Sequence, residues 1–465
     1  MDKTPVIAIF DVGKTNKKLF LFDEHYKLLY EQTAKFTETK DEDGFPCDNL
    51  ENIRLSVFNS LKKIFREKDI AVKSINFATY GASFVYIDKA GLPLTPLYNY
   101  LKPFPEELQT KFYDTYGDKE HLALETCSPV LGSLNSGMQL YRLKKEKPEI
   151  FKKIRHALHL PQYLSFILSG QAYSELTSIG CHTRLWNFKK NQYHDWVAKE
   201  GLQKKLAPVV PSDTVVPSTF EKKDFILGVG LHDSSAALIP YLLNFKEPFV
   251  LLSTGTWCIS LNPFNEMPLT THELEQDCLC YLSYDGKPVK AARLFAGDEH
   301  EQQVKRIAGH FNKKTALYKT VNYNAETIGK LTKTNPLQMK GNKRPVMKGS
   351  EFAKRELSSF ADYEEAYHQL MLDLIDLQVV STSLVIKGTE VKRIFVDGGF
   401  SKNIIYMNLL ASVFPAMEIF AASIAQATSI GAALAIHQHW NSQPLPSDII
   451  ELKYYSAKHE RINKE

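Results

Sequence analysis

Val6-Ile-Ala-Ile-Phe10, Asp11-Val-Gly-Lys-Thr-Asn-Lys-Lys18 and Leu19-Phe-Leu-Phe22 follow one another near the N-terminus: an apolar run, a polar glycine turn, a second apolar run. Short apolar runs of this kind read as buried strands, and two around a polar turn read as a hairpin. The turn is rich in groups that phosphate oxygens seek. Gly13 lets bare backbone N–H approach closely, Thr15 and Asn16 add hydroxyl and amide donors, and Lys14, Lys17 and Lys18 add positive charge. Asp11 offers a carboxylate where a phosphate-bound Mg²⁺ could sit, directly or through water. Alone, the stretch also reads as an ordinary polar hairpin.

The same grammar returns later. Phe249-Val-Leu-Leu252 leads into Ser253-Thr-Gly-Thr256 and then Trp257-Cys-Ile-Ser-Leu261. Thr254, Gly255 and Thr256 give this turn hydroxyls and a glycine but no charge. A third loop, Asp397-Gly-Gly-Phe-Ser-Lys-Asn403, joins the strand Arg393-Ile-Phe-Val396 to a helix predicted over Asn403–Val413. Its paired glycines, Gly398 and Gly399, place bare backbone beside a helix N-terminus, which favours anions and flat ligands. It is neither GxGxxG nor GxxxxGK[ST], so neither a dinucleotide domain nor a P-loop is expected.

Between these turns the periodicities alternate between strand and helix. Leu50–Arg66 carries Ile53, Val57, Leu61, Ile64 and Phe65 at helical spacing. Ser74–Thr79 reads as a strand that breaks at Tyr80-Gly-Ala-Ser83. Ser136–Ile150 and Gln162–Leu168 read as helices separated by a break at Pro161. Pro208–Pro217 reads as an extended loop. Tyr363–Ile386 reads as a long helix with Asp362 as N-cap and Gly388 as stop. Asn244–Pro248 has linker character, which predicts two α/β domains, 1–244 and 245–465, facing each other across a cleft.

The whole-chain numbers agree with a two-domain globular protein. There are 465 residues, 44% apolar and 24% charged, with a net charge of +4. Two domains of roughly 200 residues fit that length. The charge excess argues for neither nucleic acid nor membrane as partner. The Lys-rich stretch Asn312–Arg344 reads as a solvated surface or as an anion-binding segment. The six cysteines show no metal-ligand spacing and fit a reducing compartment. The N-terminus runs straight into a strand rather than a signal-peptide apolar run, so a cytoplasmic location is expected.

The constellation resembles the FGGY carbohydrate kinase family, of the actin-like ATPase superfold. DVGKTNKK looks like its first phosphate motif, STGTW like its second and VDGGFSKN like its adenosine motif. GLHDSSAAL, residues 230–238, is similar to the segment that carries the catalytic aspartate, and SELTSIGCHTRLWN to the stretch after the family's LTG helix. ATYGASFVYID, GLHDSSAA and STGTWCIS look most like the rhamnulokinase and fuculokinase branch.

The resemblance implies two ribonuclease H-like domains around a central cleft, ATP, Mg²⁺ and phosphorylation of a small sugar. The deoxy-ketohexoses rhamnulose and fuculose come first; xylulose, ribulose and glycerol are alternatives. It implies nucleotide contacts at Gly13, Lys14, Thr15, Asn16, Lys17, Lys18, Thr254, Gly255, Thr256, Gly398, Gly399 and Asn403. It implies sugar contacts at Gly81, His232 and Asp233, with Asp233 as base. A homodimer is left open. Locally, Asp233 also reads as a helix N-cap, His232 as a structural histidine and Gly81 as a turn glycine.

The chain departs from the family pattern at several points. Lys18 stands where relatives carry arginine, and Lys14 is a bulky charge inside the turn. Leu97–Pro103 replaces an acidic, arginine-bearing sugar segment. Ser83 and Gln162 stand where aspartates are expected, and Ala292–His300 matches the branch poorly. The ATP machinery looks kept while the sugar pocket looks altered. A silent sugar- or nucleotide-binding regulator on the same fold is the rival reading; a chaperone-type ATPase is a third.

Overall fold

The computed structural model describes residues 3–14, 16–337, 350–424 and 426–456. The chain forms two compact units. The first comprises 1–244, 280–288 and 426–449, and the second 245–279, 289–425 and 450–465. A single cut between 244 and 245 therefore leaves two stretches of the first unit on the wrong side.

The first unit is built on a seven-stranded sheet. Its strands are β1 (Thr4–Val12), β2 (Lys17–Asp23), β3 (Leu28–Ala34), β4 (Ile70–Thr79), β5 (Val215–Phe220), β6 (Lys223–Gly228) and β7 (Leu231–His232). The order is β5-β6-β4-β1-β2-β3, with β7 also pairing β4. β1 lies antiparallel to β2 and parallel to β4. β6 and β7 both run parallel to β4.

β1 is covered on both faces, which is why it reads as one unbroken apolar run. Val6, Ala8, Phe10 and Val12 pack in one core with Ile53, Val57 and Leu61 of the helix Leu50–Ile64. Ile7 and Ile9 alternate to the other face, where the helix Ala427–Ala435 lies against β1. That helix packs closely on Asp233–Asn244: a Cβ at Gly431 would stand 1.8 Å from the Ala236 carbonyl oxygen.

Two proline expectations need correction. Pro161 sits in the first turn of the helix Leu160–Ser169, where its missing N–H costs nothing, rather than in a break before it. Pro217 is not in a loop but in β5, an edge strand, opposite Ile226. Helix 136–150 is also broken, into Ser136–Glu146 and Pro148–Lys153.

A second seven-stranded sheet repeats the plan. Its strands are β8 (Phe249–Thr254), β9 (Cys258–Asn262), β10 (Cys278–Leu282), β11 (Pro288–Leu294), β12 (Arg393–Gly398), β13 (Glu418–Ser423) and β14 (Glu451–Tyr455). Their order is β10-β11-β9-β8-β12-β13-β14. The helix Tyr363–Ile386 begins at Asp362, whose side chain accepts from the Glu365 N–H, and Gly388 follows it at φ 77°. Among the described residues it alone is long and apolar enough to cross a bilayer, yet 67% of its apolar window is buried within the protein.

Candidate active site

In the first unit, functional side chains gather at the carboxyl ends of β1, β4 and β7. That is where open parallel sheets place ligands. Asp11 and Ala78 are register partners across β1 and β4, and Ala78 and Leu231 across β4 and β7. Asp233 follows at once as the first residue of the helix Asp233–Asn244. Gly228 and Gly230 make this passage from strand to helix. A Cβ at Gly228 would stand 2.3 Å from Asn76 Oδ1, and Gly230 has φ 84°. Gln162, in the place of an aspartate, donates to the Gly230 carbonyl at 2.8 Å and pins the same bend.

The Asp233 carboxylate is half committed. Its Oδ1 accepts from the Ser234 N–H at 2.6 Å, and His232 Nε2 stands 3.2 Å away. Oδ2 has no partner among the described residues and can receive a proton. Burial pushes the Asp233 carboxyl up to about 6. Asp11 is pushed up to about 7 by burial and by the Asp233 charge, against the Ser429 hydroxyl, which donates to Asp11 Oδ2 at 3.3 Å.

His232 is buried and held neutral, its pKa lowered to about 3 by desolvation. Its Nε2 lies 2.9 Å from Cys181 Sγ as well as beside Asp233. The Tyr281 ring stands 5.5 Å from its own. Gly81 leaves the room for this imidazole: a Cβ there would come within 2.9 Å of His232 Cδ2 and 3.0 Å of Cys181 Sγ. The geometry therefore places Gly81 and His232 beside Asp233.

The first phosphate-type turn is less open than its sequence suggests. Lys14 Nζ bonds Asp48 Oδ2 at 2.7 Å and Glu38 at 3.2 Å. Lys17 is buried, its ammonium on Asp48 Oδ1 and on the Lys14 carbonyl, both at 2.9 Å. Lys18 alternates to the other face and pairs with Glu31 at 3.2 Å. Gly13 and Asn16 form the remainder of the turn, a Cβ at Gly13 standing 3.1 Å from the Asn16 carbonyl oxygen. Thr15 lies outside the described residues.

In the second unit, Gly255, Thr256, Gly399 and Asn403 line one cavity of about 760 Å³. Gly297 and Asp298, at the N-terminus of the helix Ala296–His310, line it too. Val304, Tyr318, Phe400 and Ile404 supply apolar faces; His300, Lys305 and Lys319 are also in the wall. A cavity lined by both bare backbone and aromatic side chains suits a nucleotide. Lys319 belongs to the Lys-rich stretch, whose residues 338–344 lie outside the described residues.

The other residues expected at the nucleotide have structural work here. Thr254 and Gly398 are not in the cavity wall but join two of its loops. The Thr254 hydroxyl donates to the Asp397 carbonyl and accepts from the Phe400 N–H at 3.0 Å. A Cβ at Gly398, φ 86°, would fall 1.9 Å from the Thr254 carbonyl oxygen. Asn403 faces the cavity but is spent as an N-cap, accepting from the Ile405 and Tyr406 N–H groups, while its amide donates to the Tyr367 hydroxyl at 2.6 Å.

Asp48, Cys181, Ser429 and Tyr281 were not legible as site residues. Asp48 precedes the helix cap Asn49 and looks like part of it. Ser429 sits in a run of small residues more than 400 positions from Asp11, with no local signal.

The donor chemistry fits Mg²⁺. Asp11 and Asp233 are oxygen donors whose carboxyl pKa values are raised first of all by burial. Magnesium commonly takes one or two carboxylates and completes its shell with water and phosphate oxygens.

A model of the N-terminal domain of the FGGY family of carbohydrate kinases matches residues 6–238, and one of the FGGY C-terminal domain matches 246–444. A rhamnulokinase of Halalkalibacterium halodurans is 28% identical over 259 residues, covering 54% of each chain. One of Oceanobacillus iheyensis is 23% identical over 278 residues, covering 56% of each. The chain thus spans about half the length of these curated relatives in the matched region.

Among solved structures, a carbohydrate kinase from Novosphingobium aromaticivorans has a TM-score of 0.77 at 23% identity, over 98% of this chain and 95% of that one. A ligand-bound xylulose kinase from Lactobacillus acidophilus has a TM-score of 0.78 at 16% identity, over 98% and 94%. A Plasmodium falciparum glycerol kinase with ADP has 0.72 at 16% identity, over 95% and 91%. At such identities the likeness establishes the fold.

Proposed function

The chain belongs to the FGGY family of carbohydrate kinases, and on that premise we propose that it transfers the γ-phosphoryl group of ATP to a hydroxyl of a small carbohydrate. The observation that carries this reading is the half-committed carboxylate of Asp233. Its Oδ1 is fixed by Ser234 and stands beside His232. Oδ2 is left to take the acceptor's proton as the new P–O bond forms. Phosphoryl transfer asks for little else from a protein than in-line positioning, charge neutralisation and such a base.

Each part has a holder. The cavity of the second unit binds the nucleotide, with Gly255, Thr256 and Gly399 offering backbone to phosphate and the aromatic faces of Tyr318 and Phe400 taking the base. Gly13 and Asn16 present donors to phosphate oxygens in the first unit. Asp11 would hold Mg²⁺, which supplies neutralisation of the developing phosphate charge. His232 orients Asp233, and Gly81 makes room for His232. Cytoplasmic location accords with this role.

The acceptor is a ketose or related polyol. The rhamnulokinases among the relatives support a deoxy-ketohexose such as rhamnulose or fuculose. The replacement of the acidic, arginine-bearing segment by Leu97–Pro103 favours screening xylulose, ribulose and glycerol beside them. The test is ADP release from purified protein with ATP and Mg²⁺ over this panel. Sugar-dependent release from at least one acceptor is expected. Nucleotide binding without turnover on every acceptor would favour a silent regulator instead.

A further inference from the structure

Asp48 has no part in the reading above, yet it is a buried carboxylate that accepts from three side chains of two different turns. It is 6% exposed. Lys17 Nζ donates to its Oδ1 at 2.9 Å, and Lys14 Nζ and the Tyr80 hydroxyl donate to its Oδ2 at 2.7 and 2.8 Å. Burial disfavours the charge, but the hydrogen bonds and charges of the two lysines hold its carboxyl below the ordinary value. The backbone is fixed as well, by a bridge from Asp48 to Leu97.

The three donors come from two different turns. Lys14 and Lys17 flank the turn between β1 and β2, and the buried Lys17 ammonium closes it by bonding the Lys14 carbonyl. Tyr80 opens the turn after β4, next to Gly81, which packs on His232. Two cations against the two carboxylates Asp48 and Glu38 leave the phosphate-type turn close to neutral. The lysines therefore shape the turn instead of offering free charge to phosphate.

We propose that Asp48 is a positioning residue that, through Lys14 and Lys17, holds the strands on either side of the turn between β1 and β2 in a phosphate-receiving arrangement and ties them, through the Tyr80 hydroxyl, to the turn that seats His232 beside the base. The inference rests on the kinase reading for its effect on turnover. Its mechanical claim, that one carboxylate couples two turns, stands apart from that reading. Misplacement by an ångström at a phosphoryl-transfer site lowers kcat far more than affinity.

The test uses the full chain with Asp48→Asn, Tyr80→Phe and the charge-balanced pair Asp48→Asn with Lys17→Met. Asp48→Asn is expected to cut kcat at least about tenfold while the Kd for a nonhydrolysable ATP analogue changes less than about threefold. The balanced double variant should regain the wild-type melting temperature but keep the low kcat. Tyr80→Phe should raise the acceptor KM and leave the ATP-analogue Kd unchanged. Amide hydrogen exchange, which needs no turnover, should speed up both in the peptide spanning 11–18 and in that spanning 80–83 in the double variant.

A wild-type kcat in the double variant would overturn the proposal, since the carboxylate would then only balance lysine charge. So would Asp48→Asn tightening the ATP analogue at unchanged kcat, or exchange quickening in neither turn. An inactive wild-type chain would sink the kinase reading but leave the exchange experiment to decide the coupling.

Discussion

The turn between β1 and β2 and the turn between β8 and β9 occupy the same place in the same plan. Each closes an antiparallel hairpin whose first strand also runs parallel to a neighbour, β4 in one unit and β12 in the other. They are stabilised by opposite means. The first is charged and held by side chains, through Asp48, Lys14 and Lys17. The second is uncharged and held by backbone and one hydroxyl, Thr254: Gly399 N–H bonds the Thr254 carbonyl at 2.9 Å, Asp298 N–H the Thr256 carbonyl at 3.2 Å, and there is no room for a Cβ at Gly297 or Gly398. Loops at the same place in the fold can thus be shaped by ion pairing or by the absence of a side chain, and the two solutions fail under different mutations.

The largest expected effect lies outside both turns and calibrates them. Asp233→Asn should lower turnover by about 10²–10⁴-fold, the usual worth of a positioned base. The affinity for a nonhydrolysable ATP analogue should stay within about twofold, because the cavity of the second unit is untouched. ADP release and calorimetric binding measure the two. A fully active Asp233→Asn protein would refute the assignment.

A pH profile follows. The base acts deprotonated, and Asp233 is raised to about 6. Turnover should therefore fall on the acid side about tenfold per pH unit below that value. Stability has the opposite sign at Asp11. Its folded-state pKa, about 7, lies above the ordinary 3.8. The folded state then holds the proton more tightly, so this contribution is full below pH 3.8 and lost as pH rises through 7. Asp11→Asn should gain melting temperature on wild type progressively from pH 4 to 8 without Mg²⁺. Parallel melting curves would show that Asp11 is not strained by its charge.

The turns themselves separate next. Gly398→Ala forces a Cβ to 1.9 Å from a carbonyl oxygen at φ 86° and should cost more than about 2 kcal/mol. Gly13→Ala meets, among the described residues, the Asn16 carbonyl oxygen at 3.1 Å and should cost less than about 1 kcal/mol. Denaturant unfolding compares them, and equal losses would erase the contrast. Smallest of all, Thr254→Ser should keep the hydroxyl bonds to Asp397 and Phe400, whereas Thr254→Ala should lose about 1 kcal/mol.

What could be read ahead of the structure was local. The helix Tyr363–Ile386, its Asp362 cap and Gly388 follow from a 3.6-residue period and short-range capping. The hairpin at Asp11–Lys18 follows from two apolar runs around a polar turn. Asp233 at a helix start and the glycine loop at 397–399 were equally visible, because strand-to-helix turns write their needs in adjacent residues.

The linear chain thus determined its periodic elements, its three glycine-bearing turns and the residue types gathered in them. Folding alone decided which side chains stay available. Lys14 and Lys17 look like phosphate ligands until Asp48, 31 to 34 positions away, takes both. Segments 280–288 and 426–449 join the first unit although they follow strands or loops of the second. Ion pairing and close helix contact act through space, between residues that sequence distance keeps apart, and no local period or cap records them.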